Sequence, residues 1–183
     1  NKWRLRCRCQ KPSPKVFLSK TRTRSFCFQE KKKETGCVYA TTQTRGRGAH
    51  GKKWVSNEGN LFGSLFFPLK KNYPPFNEFA IINPVIISEV IKQFCEENKI
   101  SFKWPNDVFL NGKKICGILQ EIVFKNNRKF LVIGIGINII NSPSLINYET
   151  SHLNNYSKKK VNKTKLFNQI KMNFEKKIKY FKK

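Results

Sequence analysis

Apolar residues recur along the 183-residue chain with two periods, and the alternation between them predicts the order of elements. Val16 to Leu18 and Cys37 to Thr42 have the β-branched and aromatic character of short strands, and the charged stretch Gln29 to Glu34 between them reads as helical. Asn57-Glu58-Gly59-Asn60 is a turn signal, and Leu61 to Phe67 after it reads as a strand stopped by Pro68. Phe79, Ile82, Ile86, Ile87, Val90, Ile91 and Phe94 then fall at helical spacing in a segment running to Lys99, with Pro84 tolerable near the first turn or at a kink. Four apolar segments follow: Phe102 to Trp104, Val108 to Leu110, Ile115 to Val123 and Phe130 to Ile137. Asn111-Gly112 and Lys125-Asn126-Asn127-Arg128 mark tight turns between the later ones, so a three-strand antiparallel meander is expected after the helix. Asn141 to Lys165 is polar and aperiodic, a loop, and Phe167, Ile170, Phe174, Ile178 and Phe181 form the apolar stripe of a closing helix. The sum is an α+β domain with a mixed, largely antiparallel sheet and helices packed on one face.

Composition adds bounds to this picture. Hydrophobic residues make up 39% of the chain and include 16 Phe, enough for one real core. Lys and Arg number 37 against 11 Asp and Glu, a formal charge of +26, which draws phosphates, acidic proteins and nucleic acid. An AT-rich coding sequence, favouring Lys, Asn, Ile and Phe, would give the same excess without selection for binding. The cysteines at 7, 9, 27, 37, 95 and 116 lack the paired spacing of a zinc site and the density of a disulfide scaffold, so free thiols in a reducing compartment are expected. The longest apolar run, Phe79 to Ile87, is broken by Asn83 and Pro84 and falls far short of the roughly 20 residues that span a bilayer. No acidic residue precedes Glu30, while Lys, Arg, Ser and Thr are frequent there. That is the character of an organelle transit sequence, or the ordinary basic entry to so basic a domain. Residues 1–15 are accordingly set apart as a basic segment, with the folded domain from 16 to 183, in the cytoplasm or an organelle and not secreted.

Three segments carry chemistry. Thr42-Gln43-Thr44-Arg45-Gly46-Arg47-Gly48-Ala49-His50-Gly51-Lys52-Lys53-Trp54 contains a literal GxGxxG, but no helix opens at its glycines and the expected acidic partner some 20 residues on is missing. The dinucleotide reading fails. What survives is a flexible, cationic cradle for a phosphate or carboxylate. Lys103-Trp104-Pro105-Asn106-Asp107 continues across a two-residue turn to Lys113-Lys114-Ile115-Cys116-Gly117-Ile118-Leu119, so that Asp107 and Lys114 are expected together, with Lys114 an exposed charge at a strand end. In Gly134-Ile135-Gly136-Ile137-Asn138 the glycines allow close approach of a ligand or another backbone, or mark a bulge.

In this order and at these separations, from about Cys37 to Asn141, the segments resemble the biotin protein ligases, whose pattern is a GRG loop ending in Trp, then KWPND, KxxGIL and GxGxN. The resemblance implies a class II synthetase-like fold of the biotin/lipoate ligase type and a two-step reaction. Biotin's carboxylate attacks the α-phosphate of ATP with Mg²⁺ present, giving biotinyl-AMP and pyrophosphate, and a lysine of a biotin carboxyl carrier domain of a carboxylase then attacks the anhydride. By the same resemblance Lys114, Arg47 and Asp107 form the catalytic set, with Asp107 orienting the incoming lysine or a metal. Biotin falls to Gln43, Gly46, Arg47, Gly48, Lys114, Gly117 and Thr21, and ATP to Arg47, Trp54, Asn106, Lys114 and Asn138.

Two positions depart from the family pattern. Ala49 stands where an arginine is usual, which removes a charge-assisted hydrogen bond to the bound intermediate unless His50 or Lys52 supplies one. The biotin-ring motif upstream of Gln43 has only Ser19-Lys20-Thr21-Arg22-Thr23 as its counterpart, hence Thr21. The family's amino-terminal winged helix is expected to have no room here and its small carboxy-terminal β domain to be missing, so specific DNA binding is not anticipated; with no apolar run long enough to span a bilayer, membrane association is not anticipated either, while a homodimer is allowed. The rival readings are a lipoate or octanoyl transferase of the same fold and a basic module that binds nucleic acid with stacking aromatics.

Overall fold

The computed structural model describes residues 15–20, 35–95, 98–144 and 148–181. The helical reading of Gln29 to Glu34, the cysteines at 7, 9 and 27, the basic segment up to residue 14 and Thr21 lie outside the described residues. Seven strands, β1 (Lys15–Lys20), β2 (Gly36–Thr42), β3 (Leu61–Pro68), β4 (Ile100–Lys103), β5 (Asp107–Leu110), β6 (Lys113–Lys125) and β7 (Arg128–Ile137), form one sheet in the order β1-β2-β3-β7-β6-β5-β4. Only β1 and β2 run parallel, with Val16 opposite Val38; the other pairs are antiparallel. The mixed, largely antiparallel sheet is therefore as the sequence predicts. The meander has four strands, β4 to β7, because the short segment before Trp104 also pairs, Phe102 lying opposite Val108.

Turn chemistry sets the two hairpins. Asn111 and Gly112 have φ of 47° and 80°, and Asn126 and Asn127 have 49° and 57°, the left-handed pairs that a tight type I′ turn needs. Among the described residues two helices cover one face, α1 (Phe79–Lys92) and α2 (Lys163–Tyr180). The first ends at Lys92 and not at Lys99, and Pro84 sits past its first turn, where the ring nitrogen removes one intrahelical donor. Asn162 caps α2, its side-chain oxygen accepting from the Lys165 N–H at 2.9 Å. Asn173 on α2 donates to the Ile86 carbonyl at 3.0 Å and to Glu89 at 2.9 Å, locking the two helices together.

Alternation along the strands divides the sheet into two unlike faces. Leu61, Leu65 and Phe67 of β3 and Leu131, Ile133, Ile135 and Ile137 of β7 join Phe79, Ile87, Val90, Ile91, Phe167 and Ile170 of the helices in the main core. The intervening positions, Phe62, Ser64, Val132, Gly134 and Gly136, line a cavity on the opposite face. Strand β6 has a fault in its period. Val108 pairs with Cys116 but Phe109 pairs with Lys114, which leaves Ile115 as an extra residue in a bulge. Lys114 and Gly117, three apart and on opposite faces of a regular strand, thereby both face the cavity.

Candidate active site

The cavity has a volume of about 760 Å³ and lies between the open face of the sheet and the loop that follows β2. That loop doubles back on itself: the Trp54 N–H donates to the Gly46 carbonyl at 3.0 Å, Gly48 to Lys52 at 2.7 Å, and Arg47 and Lys53 form a bridge. His50 and Gly51 turn the corner with φ of 55° and 74°. A side chain at Gly46 would strike the Trp54 carbonyl, the Ser56 hydroxyl and Gln43. Gly46 thus shapes the loop from behind, and it is not among the cavity-lining residues; the space where its Cβ would stand is taken by the loop's own returning segment. The indole of Trp54 lies across the sheet, and a Cβ at Gly117 or Gly136 would run into its ring. Gly117 and Gly136 are thus bare to admit this tryptophan, while Gly134, whose nearest neighbours are the backbone and Cβ of Leu119, stays clear of the ring. Gly117 lines the cavity from beneath the Trp54 ring.

Lys114 stands at the centre of the floor. Its Nζ is 2.6 Å from Asp107 Oδ2, donates to the Tyr148 hydroxyl at 3.2 Å and lies 5.5 Å from the Trp54 ring centre. The residue is 7% exposed, so the expectation of an exposed strand-end charge is corrected: the bulge turns Lys114 inward, and the segment after β7 closes over it. The Lys114 N–H donates to the Glu149 carbonyl and its own carbonyl accepts from Ser151, both at 2.9 Å. Beneath it, burial first and the Asp107 carboxylate second push the Cys116 thiol far up, against the opposing pull of Lys114.

Two asparagines hold this floor in place. Asn106 donates to the Ile118 carbonyl at 2.7 Å and accepts at its own carbonyl from the Ile118 N–H at 2.8 Å, which fixes the turn carrying Asp107. Asn138 donates its N–H to the carbonyl of the bulged Ile115 at 2.9 Å and its amide to the Ser151 carbonyl at 3.1 Å. Its Oδ1 is buried without a partner, as is the Trp54 Nε1, and both residues line the cavity. A buried acceptor and a buried donor with nothing to bond are groups that a ligand with complementary polar edges satisfies. Gln43 and Gly48 also line the cavity, and Gln43 accepts from the Ser56 hydroxyl at 3.3 Å. Arg47 reaches across the mouth to Glu121, 2.6 Å away. Arg45, Lys52, Lys53 and Lys103 complete a cationic rim.

Sequence reasoning missed Glu121 and Tyr148. Glu121 is the one acidic residue within Lys113 to Lys125, and Tyr148 the one aromatic within Asn141 to Asn155; both were visible as outliers in their segments. Among the described residues no group of three or more His, Cys, Asp or Glu is arranged to hold a metal. A magnesium carried on nucleotide phosphates needs only one or two protein carboxylates, and Asp107 and Glu121 are those the cavity offers. No helix among the described residues is long and apolar enough to cross a membrane.

The sheet, the cavity on its open face and the lysine at its centre define a member of the Biotin/lipoate A/B protein ligase family, to which this chain belongs by a match over residues 14–138. The relatives it matches include biotin ligases. It is 35% identical over 112 residues to the bifunctional ligase/repressor BirA of Escherichia coli K12, covering 60% of this chain and 34% of that protein. To the biotin–[acetyl-CoA-carboxylase] ligase of Paracoccus denitrificans it is 31% identical over 108 residues, 58% of this chain and 45% of the relative. The chain spans about a third of the length of the bacterial BirA relatives from Escherichia coli, Salmonella typhimurium and Bacillus subtilis. Among solved structures, the biotin protein ligase of Aquifex aeolicus in complex with biotin and ATP superposes with a TM-score of 0.77 at 27% identity, covering 92% of this chain and 71% of that one. The Leishmania major ligase in complex with biotinyl-5-AMP, at 23% identity and a TM-score of 0.75 over 90% of this chain and 74% of that one, shares the fold.

Proposed function

We propose that the chain is a biotin–protein ligase domain that makes biotinyl-AMP from biotin and ATP and passes the biotinyl group to a lysine of a biotin carboxyl carrier domain. The observation that carries the reading is Lys114, an ammonium buried on the floor of a cavity ringed by further cations. Biotin's carboxylate and the α-phosphate are both anions, and they must approach within bonding distance before pyrophosphate can leave. A preorganised cation that costs no reorganisation at the moment of reaction lowers that barrier most. Lys114 stands where the carboxylate and phosphate would meet, and Arg45, Lys52, Lys53 and Lys103 offset the remaining phosphate charge. Arg47, once it exchanges Glu121 for a ligand oxygen, closes the loop over the anhydride. Trp54 and the loop it anchors exclude water, which would otherwise hydrolyse that anhydride. Bound magnesium, seated by Asp107 or Glu121, would neutralise phosphate charge. Asp107, beside Lys114, is also placed to accept hydrogen bonds from an incoming acceptor amine.

Asn138 Oδ1 and Trp54 Nε1 offer an acceptor and a donor to the polar edges of adenine and biotin. The names of the relatives support biotin over lipoate, and the carboxylase in the Paracoccus relative's name supports the acceptor class. The buried thiols of Cys95 and Cys116 support a reducing compartment, cytoplasmic or organellar. The test is to mix the protein with biotin, Mg-ATP and a biotin carboxyl carrier domain and to map modified lysines by mass spectrometry. One biotinylated acceptor lysine is the expected result. Modification with lipoate and not with biotin would replace the reading by lipoyl transfer. Salt-sensitive binding of nucleic acid with no dependence on biotin would replace it by the nucleic-acid module.

A further inference from the structure

An ammonium has three N–H donors and no acceptor. Two of those of Lys114 are committed, one to Asp107 Oδ2 at 2.6 Å and one to the Tyr148 hydroxyl at 3.2 Å. The face of the Tyr148 ring also lies against two cations, 4.9 Å from Lys114 Nζ and 5.2 Å from Lys103 Nζ, and Phe109 supports it edge-on with centroids 6.3 Å apart. The backbone around it is fastened to the same lysine: Glu149 and Ser151 bond to both sides of the Lys114 peptide, and Glu149 pairs with Lys113 at 2.9 Å. Tyr148 and Lys114 therefore belong to one frame and do not meet across a flexible gap.

We infer that Tyr148 is a positioning residue for adenylate formation. Together with Asp107 it fixes the rotation of the Lys114 ammonium about its last carbon–nitrogen bond, so that the third N–H faces the cavity where carboxylate and α-phosphate meet. Asp107 alone also sets the angle of this threefold rotor, but through a single contact; the Tyr148 hydroxyl deepens that rotational well and holds the Nζ itself against swinging about the bonds of the lysine side chain. This inference rests on the proposed biotin chemistry for its kinetics, while the contact itself can be judged without it.

Tyr148→Phe keeps the ring, its packing on Phe109 and both cation contacts, and loses only the hydroxyl. For pyrophosphate release with biotin and Mg-ATP, kcat should fall about tenfold, the usual weight of a hydrogen bond to a charged group, with KM for biotin moving less than about twofold. The thermal midpoint should stay within about 2 °C of wild type, as for a change that removes no packing. Tyr148→Leu, which also removes the aromatic face, should lower kcat further. A Tyr148→Phe enzyme that turns over like wild type, or one altered only in KM, overturns the inference. The second readout needs no turnover: ¹H–¹⁵N spectra of lysine-labelled protein, with the Lys114 ammonium identified by its loss in Lys114→Arg. Its hydrogen exchange with water should speed up at least about threefold in Tyr148→Phe, as expected when one of its acceptors is removed. Unchanged exchange overturns the inference. If wild-type protein makes no biotinyl-AMP, the ligase reading fails while the exchange measurement still decides the Tyr148 contact.

Discussion

Lys114 and Arg47 sit on opposite walls of the same cavity, and each meets a carboxylate oxygen at 2.6 Å. Their surroundings could hardly differ more. The Lys114 and Asp107 side chains are 9% and 13% exposed, and the lysine's backbone is bonded on both sides, whereas the Arg47 side chain is 55% exposed on a loop with a left-handed turn at its tip. Equal distances conceal unequal energies: an exposed pair contributes about 0–1 kcal/mol after entropy and screening, while removing one partner of a buried pair costs about 3–5 kcal/mol. The floor of the site is thus fixed electrostatics and its roof is exchangeable.

Replacing Lys114 should give the largest effect. Lys114→Ala is expected to cut adenylate formation about a hundredfold to a thousandfold, and to destabilise the domain by about 3 kcal/mol through the stranded Asp107 carboxylate. Restoring stability by a second change, Asp107→Ala, without restoring activity would separate the two roles; pyrophosphate release and urea unfolding report them. Next comes the aromatic lining. Gly117→Ala or Gly136→Ala must push the Trp54 ring off the sheet, costing about 1–3 kcal/mol as overpacking and shifting the tryptophan fluorescence. A crystal structure of either variant with Trp54 unmoved would refute the fit described for it.

Two buried thiols, Cys95 in the main core and Cys116 beneath the floor, predict an alkaline limit. Burial pushes the Cys95 thiol up to about 11 from an ordinary 9.0, and burial with Asp107 pushes Cys116 up further. The folded state then keeps protons that the unfolded chain gives up, so this stability is complete below pH 9 and drains away as pH rises above it. Cys95→Ser and Cys116→Ser should each flatten the decline of unfolding free energy between pH 9 and 10.5. Alkylation of these thiols in native protein at pH 8 should be slow, since little thiolate exists there.

Effects on the roof should be smaller. Arg47→Ala and Glu121→Gln should each change stability by no more than about 0.5 kcal/mol, since the pair is exposed. On the proposed chemistry, with magnesium seated by Asp107, they should part company in kinetics: Arg47→Ala removes the proposed ligand contact and slows adenylation about tenfold, while Glu121→Gln frees the arginine and spares it. Equal losses in both would mean that the pair acts as a unit. Smallest of all is Ala49→Arg. If the loop lacks a cation at that position, the added arginine slows release of biotinyl-AMP about tenfold and reduces biotin found on the enzyme's own lysines after incubation without acceptor. An unchanged release rate would show that His50 or Lys52, which line the cavity beside Ala49, already fill the role.

How much of this was legible in the sequence depends on the range of the interaction. The hairpins at Asn111-Gly112 and Asn126-Asn127, the strand periods and both helix stripes are local, and all were readable from turn chemistry and spacing. The end of α1 was misjudged because apolar Phe94 extends the stripe past the last helical turn. The pairing of Asp107 with Lys114 was legible because a two-residue turn separates their strands. The burial of Lys114 was not, since it depends on a bulge at Ile115 that no spacing announces and on a segment some 35 residues downstream. Gly117 and Gly136 read as room for a ligand because a sequence cannot say that Trp54, arriving from 63 residues before the first of them, takes that room.

The bulge at Ile115 has a bearing on which insertions and deletions the gene can tolerate. A strand counts its faces by parity, and β6 is counted from two ends: from the Asn111-Gly112 turn up to Lys114, and from the Asn126-Asn127 turn back to Cys116. The two counts disagree by one, and Ile115 absorbs the remainder. Giving Ile115 a partner, by one codon inserted into β5 between Val108 and Phe109, would reconcile them with every residue of β6 kept, and would give a more regular strand and a stronger ladder with β5. It would also send Lys114 to the helix side and bury its charge among leucines and isoleucines. An improvement in the sheet as a sheet would therefore abolish the site, and the unpaired residue is one that drift cannot supply with a partner.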